Sequence, residues 1–196
     1  MLTPAPTQAN YPRMLGLLLH YSLLTPLEDD PQFVDLLRHV DALERILAMP
    51  EIGYDVLKVD NFTRNLMLDG SMGVVVARCT KYLADKNRTP ESDVVDTTEQ
   101  RLLTGIVDVI KVKNANYGES WSRRGGQGAF FSYVRKTDRL HALIPKVLAG
   151  EALNTSGDDD FDDTFVDIIG YLGLFLDRRQ ELYAAQQVEA PSVSAT

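Results

Sequence analysis

The residues best suited to chemistry crowd one stretch, "KNANYGESWSRRGGQG", from Lys113 to Gly128, which has no aliphatic residue larger than alanine. Its residue types suit a phosphate-bearing ligand with a flat ring. Tyr117 and Trp121, the only tryptophan, offer faces on which a base can stack. Lys113, Arg123 and Arg124 supply positive charge. Gly125, Gly126 and Gly128 let backbone N–H groups approach an anion just ahead of a helix N-terminus. No Gly-Lys-Ser/Thr follows, so the stretch is no P-loop. A structural turn around a core tryptophan would use the same residues.

Two further groups accompany it. Asp163 and Asp167 are four apart, hence on one helical face, and that line continues through Gly170, Tyr171 and Leu174. Carboxylates heading an apolar face need a cation, a metal or a hydrogen-bond cage. Oxygen-only ligands suit Mg²⁺ bound together with substrate phosphates. An internal salt bridge, or favourable charge near a helix N-terminus, explains the pair equally well. An EF-hand is excluded, because Asp163 stands at the turn-glycine position and Ile169 at that of the bidentate glutamate. Lys136, Leu140, Leu143 and Val147 form a second line, with Arg135 and Arg139 beside it. A cation on a face that turns apolar requires a partner, either these aspartates or a phosphate, unless it is a solvated surface charge.

Other chemistries find little support. His20, His39 and His141 have no metal-ligand spacing, and no nucleophile elbow is present. The single cysteine, Cys79, excludes an internal disulfide and reads as a buried, inert thiol.

These residues must be positioned by helices. A first helix is expected from Tyr11 to Leu24. Asp30-Pro31 signals the start of a second, with Phe33, Leu36, Leu37, Val40, Leu43 and Leu47 at helical spacing as far as Pro50. A third is expected from Tyr54 to Leu68, ended by a turn at Asp69-Gly70. "GVVVARC" is ambiguous but reads as helix, because no partner strands are in sight. The polar "DKNRTPESD", Asp85 to Asp93, marks an internal boundary. "DTTE" then resembles a capping box, Leu102, Leu103, Ile106, Val107 and Ile110 form a stripe, and Gly118 can stop the helix. Another helix should run from near Ala129 through Leu140, with Pro145 kinking or restarting it. The last should run from near Asp160 to Gln186. The expectation is an all-α helical bundle: an N-terminal helical region over 1–90, a second helical domain over 91–186, and a disordered tail over 187–196.

The chain has 196 residues, 44% of them hydrophobic, and a net charge of −8. That charge argues against direct DNA binding and against an anionic membrane surface. The N-terminal apolar run is too short to span a bilayer and lacks a basic leader, which suggests a cytoplasmic protein. Met14 to Leu24 is apolar on most sides, as expected of a buried helix or of the contact in a homodimer or higher homo-oligomer.

"KNANYGESW", a following glycine, "RKTDRL" and "DDTFVDIIGY" together resemble the phage and bacterial family called nucleotide modification associated domain, first type. Lys113, Asn114, Tyr117, Gly118, Ser120, Trp121, Gly128, Lys136, Arg139, Leu140, Asp163, Thr164, Asp167 and Tyr171 match its pattern in order, within residues 96 to 180. Arg135 stands where the family usually has an acid, and the first 90 residues resemble nothing we can name. The family is similar in helical character to the MazG-like all-α nucleoside triphosphate pyrophosphohydrolases, which hold Mg²⁺ with carboxylates from two helices. The resemblance implies a MazG-like or related bundle that binds a nucleotide or deoxynucleotide. Lys113, Lys136 and Arg139 would hold phosphates, Tyr117 or Trp121 would meet the base, and Asn114, Ser120 and Tyr171 would complete the site. Mg²⁺ would bridge to Asp163 and Asp167 as metal ligands and catalytic residues. Glu99, in line with Leu103, Ile106 and Ile110, would be a third ligand. The reaction implied is attack of a metal-positioned water on a phosphoanhydride. Two alternatives stand beside it: a non-catalytic nucleotide-binding or sequestering protein using the same pocket, and a helical assembly or adaptor protein using the first helix.

Overall fold

The computed structural model describes residues 8–25, 27, 33–47, 62–87, 95–122, 127–151 and 161–189. Among these the chain is all-α. Its six helices are α1 (Tyr11–Leu24), α2 (Val34–Leu47), α3 (Phe62–Lys86), α4 (Val95–Tyr117), α5 (Gln127–Leu148) and α6 (Phe161–Glu189), and no strand is present.

The last helix is the centre of the molecule. Phe165, Ile168, Ile169, Leu172, Leu174, Phe175 and Leu176 are buried on successive faces, so α6 is apolar nearly all round, as a helix enclosed by others must be. It packs against α1, α3, α4 and α5, while α2 lies on α3 and α5. Gly170 permits the α4 crossing: a Cβ there would sit 2.5 Å from Cδ1 of Ile110. The N-terminal helix is tied in by polar bonds as well. Asp177 of α6, 1% exposed, accepts from the backbone N–H of Asn10 at 2.9 Å and from Nε of Arg13 at 2.5 Å. Asn10 also caps α1 by accepting from the Arg13 N–H at 3.0 Å.

The first helix has the expected bounds, and Met14, Leu18 and Ser22 form its buried line. The third departs from expectation. Asp69-Gly70 makes no turn, because α3 runs through it without a break. Leu68, Met72, Val75, Val76, Cys79 and Leu83 form one buried stripe, and Asp69 accepts from Nη1 of Arg179 at 2.8 Å. Burial of that stripe outweighs the roughly 1 kcal/mol cost of a glycine inside a helix. "GVVVARC" is therefore helical. Phe33 does not open α2 but precedes it at φ +56. That strained conformation lets its ring join Tyr82, Phe161 and Phe165 in an aromatic cluster with centroids 4.7–6.1 Å apart. Pro145 lies inside α5, which continues to Leu148. The residue is exposed, and buried Leu140 and Ile144 hold the helix on its other side. The start signal at Asp30-Pro31 and the segment from Tyr54 to Asn61 lie outside the described residues, as does the tail from residue 190.

Residues from both sides of the boundary expected at residue 90 share one buried cluster, from Met14 and Leu36 to Leu140 and Phe175. Among the described residues no helix is long and apolar enough to cross a membrane.

Candidate functional site

The site begins where α4 ends. Gly118, at φ +61, reverses the chain, and Glu119 follows at φ +54. The Glu119 N–H returns to the Asn114 carbonyl at 3.2 Å, the bond of a Schellman stop. The next turn is closed by the Ser122 N–H and hydroxyl, which both donate to the Glu119 carbonyl at 3.0 and 2.9 Å. This brings Trp121 back against the helices with 6% of its surface exposed. The first turn of α5 passes directly over it. A Cβ on Gly128 would stand 2.8 Å from the Trp121 carbonyl oxygen, so this approach admits only glycine.

Beneath that turn lies a cavity of about 210 Å³ between α4, α5 and α6. Lys113, Asn114, Tyr117, Ser120, Trp121 and Tyr171 line it, together with Ile110, Gly128, Ser132 and Leu174. The first six are all expected ligand residues, brought to one place from α4, the turn and α6. The remaining two, Lys136 and Arg139, do not line it. Tyr117 is 69% exposed at the rim, whereas Trp121 forms wall and core at once. Arg123, Arg124, Gly125 and Gly126 lie outside the described residues.

Charge at the site is organised by Asp167, which is 8% exposed. One carboxylate oxygen accepts from Nζ of Lys113 at 2.9 Å and the other from Nζ of Lys136 at 2.6 Å. Burial raises the Asp167 pKa, but the bonds and charges of the two lysines together hold it below the ordinary value. Burial lowers that of Lys113, and the Asp167 bond and charge, with smaller contributions from Tyr171 and Asp163, take it above the ordinary value. The group carries a net charge of +1, and Lys113, with 45% of its side chain exposed, is its outward member.

The acids expected to hold Mg²⁺ are not gathered. Asp163 is exposed. Glu99 accepts from Oγ of Ser22 at 2.8 Å. Among the described residues no three of His, Cys, Asp and Glu are grouped as a metal would need. A divalent cation at Asp167 would face two ammonium groups, so these residues do not fit a resident Mg²⁺.

No protein-family model matches the chain, and neither does any curated protein or solved structure.

Several participants escape a reading by residue type. Ser132, Ile110 and Leu174 belong to the lining through helix register alone. Glu119 accepts from Nε1 of Trp121 and, at 3.3 Å, from the Tyr11 hydroxyl. The Tyr11 oxygen in turn accepts from Nδ2 of Asn114 at 3.2 Å. Tyr11 lies more than a hundred residues from Glu119, and no local signal marks it. Burial and the Glu119 charge raise the Tyr11 pKa against a lowering by Asn114, so its phenol remains a donor at neutral pH. Cys79 is fully buried and its thiol is pushed well up by burial, as an inert core cysteine should be. His39 and His141 pair with Asp35 and Asp41 at 3.4 and 3.0 Å.

Proposed function

We propose that the cavity binds a nucleotide or deoxynucleotide through its phosphate, and that the chain is a nucleotide-handling protein of the phage or bacterial cytoplasm. The observation that carries this reading is the donor inventory of the lining. Lys113 supplies an ammonium, Ser120, Ser132 and Tyr171 supply hydroxyls, Asn114 supplies an amide, and no lining residue is a carboxylate. Such a wall favours an anion. The rings of Tyr117, Trp121 and Tyr171 give the same cavity flat apolar surface for a base. Its volume is below the roughly 300–1,000 Å³ of drug-sized sites, which fits one mononucleotide with part of it left in solvent at the Tyr117 rim. The resemblance to the nucleotide modification associated domain family points to the same residues.

Between the two nucleotide readings, binding or sequestration is favoured over hydrolysis of a phosphoanhydride. Both oxygens of Asp167 are engaged by lysines, and Asp163 and Glu99 do not join it in a ligand set. The test is a thermal-shift panel of ribo- and deoxynucleotides, with and without Mg²⁺, followed by assay for released phosphate. Stabilisation without Mg²⁺ and without product is expected. Mg²⁺-dependent product release would replace this reading with the hydrolase. The absence of any nucleotide effect would leave the assembly or adaptor protein.

A further inference from the structure

The one acid of the pocket turn does not line the cavity. That acid is Glu119, and one of its oxygens bonds a lining residue while the other bonds the partner of a second. One accepts from the Trp121 indole, a wall of the cavity. The other accepts from Tyr11, whose oxygen receives the amide of Asn114, a second wall. The carboxylate is held where it can do this by a left-handed backbone, φ +54, which a non-glycine residue adopts at a cost.

We propose that Glu119 is the positioning residue of the pocket, and that Tyr11 makes the first helix a structural part of the ligand site. The inference rests on the nucleotide reading for its ligand but not for its geometry. Glu119 fixes the plane of Trp121 and the rotamer of Asn114 together, on opposite sides of one carboxylate. The amide of Asn114 is thereby oriented: one Nδ2 hydrogen donates to Tyr11, which leaves the second N–H as a donor for the ligand. The assignment also gives α1 a role in binding. Its N-terminal turn is anchored on α6 by Asp177, so Tyr11 is a fixed post rather than a swinging one.

Three variants test this: Glu119→Ala, Glu119→Gln and Tyr11→Phe. Trp121 is the only tryptophan, so its emission reports the indole alone. Without ligand, Glu119→Ala should shift that emission, because the indole N–H loses its charged acceptor. Glu119→Gln should restore it, since the amide oxygen can still accept from Nε1, while its NH₂ turns toward the Tyr11 oxygen. Each variant is then titrated with nucleoside 5′-monophosphates, alongside its melting temperature. Glu119→Ala and Tyr11→Phe should each weaken binding about tenfold, with Glu119→Gln in between. The melting temperature should move little for Tyr11→Phe, which a purely structural role would not allow. Wild-type affinity in Glu119→Ala or Tyr11→Phe would overturn the proposal. If the wild type answers to no nucleotide, the nucleotide reading falls. The ligand-free spectra then decide alone: unchanged Trp121 emission in Glu119→Ala overturns the positioning role as well.

Discussion

Asp167 decides between two chemistries, because one side chain cannot serve as a metal ligand while both its oxygens bond ammonium groups. Asp167→Asn should destabilise the fold by about 1–3 kcal/mol, less than for a fully enclosed pair because Lys113 is half exposed. It should also tighten inorganic phosphate binding, since two cations lose their internal anion. Loss of phosphate or nucleotide binding in a folded Asp167→Asn protein would instead favour the metal site. The pH dependence follows from the directions of the shifts. The depressed carboxyl of Asp167 gives a contribution that is complete above about pH 4 and is lost as pH falls through its lower folded value. The raised Lys113 gives one that is complete below about pH 10 and is lost as pH rises through its higher folded value. The difference in melting temperature between wild type and Asp167→Asn should therefore be flat from about pH 5 to 9, and shrink in acid and again above about pH 10. A difference that titrates near neutrality would contradict the pairing. Cys79 gives a simpler check. Its thiol should stay unreactive toward a disulfide reagent until the chain unfolds, and rapid reaction in the folded state would contradict its burial.

Gly170 sets how closely α4 approaches α6. Gly170→Val should cost about 1–3 kcal/mol by overpacking and should narrow the cavity, because the displaced Ile110 is one of its walls. Calorimetry and nucleotide titration of this variant check both effects together. Helices of this kind are legible in the sequence wherever the apolar repeat is regular. The bounds of α1 follow from its apolar run, and the end of α4 follows from Gly118. Local signals mislead where a breaker meets a long-range force. Asp69-Gly70 has the composition of a turn, but a stripe on α3 and the distant Arg179 keep it helical. Phe33 fits the periodicity of α2, but partners on α3 and α6 draw its ring out of line. Six of the pocket residues are legible because their types are unusual together. Ser132, Glu119 and Tyr11 are not, because only tertiary placement gives them a role.

At the scale of the whole molecule, one core joins the N-terminal helices to the C-terminal ones. Thermal unfolding followed by far-UV circular dichroism and by Trp121 emission should give coincident transitions; two separated transitions would mean independent units. A net charge of −8 surrounds a cavity whose lining carries an ammonium and no carboxylate. The pocket thus differs in sign from the molecule that holds it, and this contrast is the physical basis of the proposed specificity for a phosphate. The most direct measurement is a titration of Trp121 emission, in the absence of Mg²⁺, with a nucleoside 5′-monophosphate and with the matching nucleoside, in wild type and in Lys113→Ala. The account predicts saturable binding of the nucleotide by the wild type, at least about tenfold tighter than of the nucleoside, and loss of that difference in Lys113→Ala. Equal binding of nucleotide and nucleoside by the wild type, or no response to either at millimolar concentration, would contradict it.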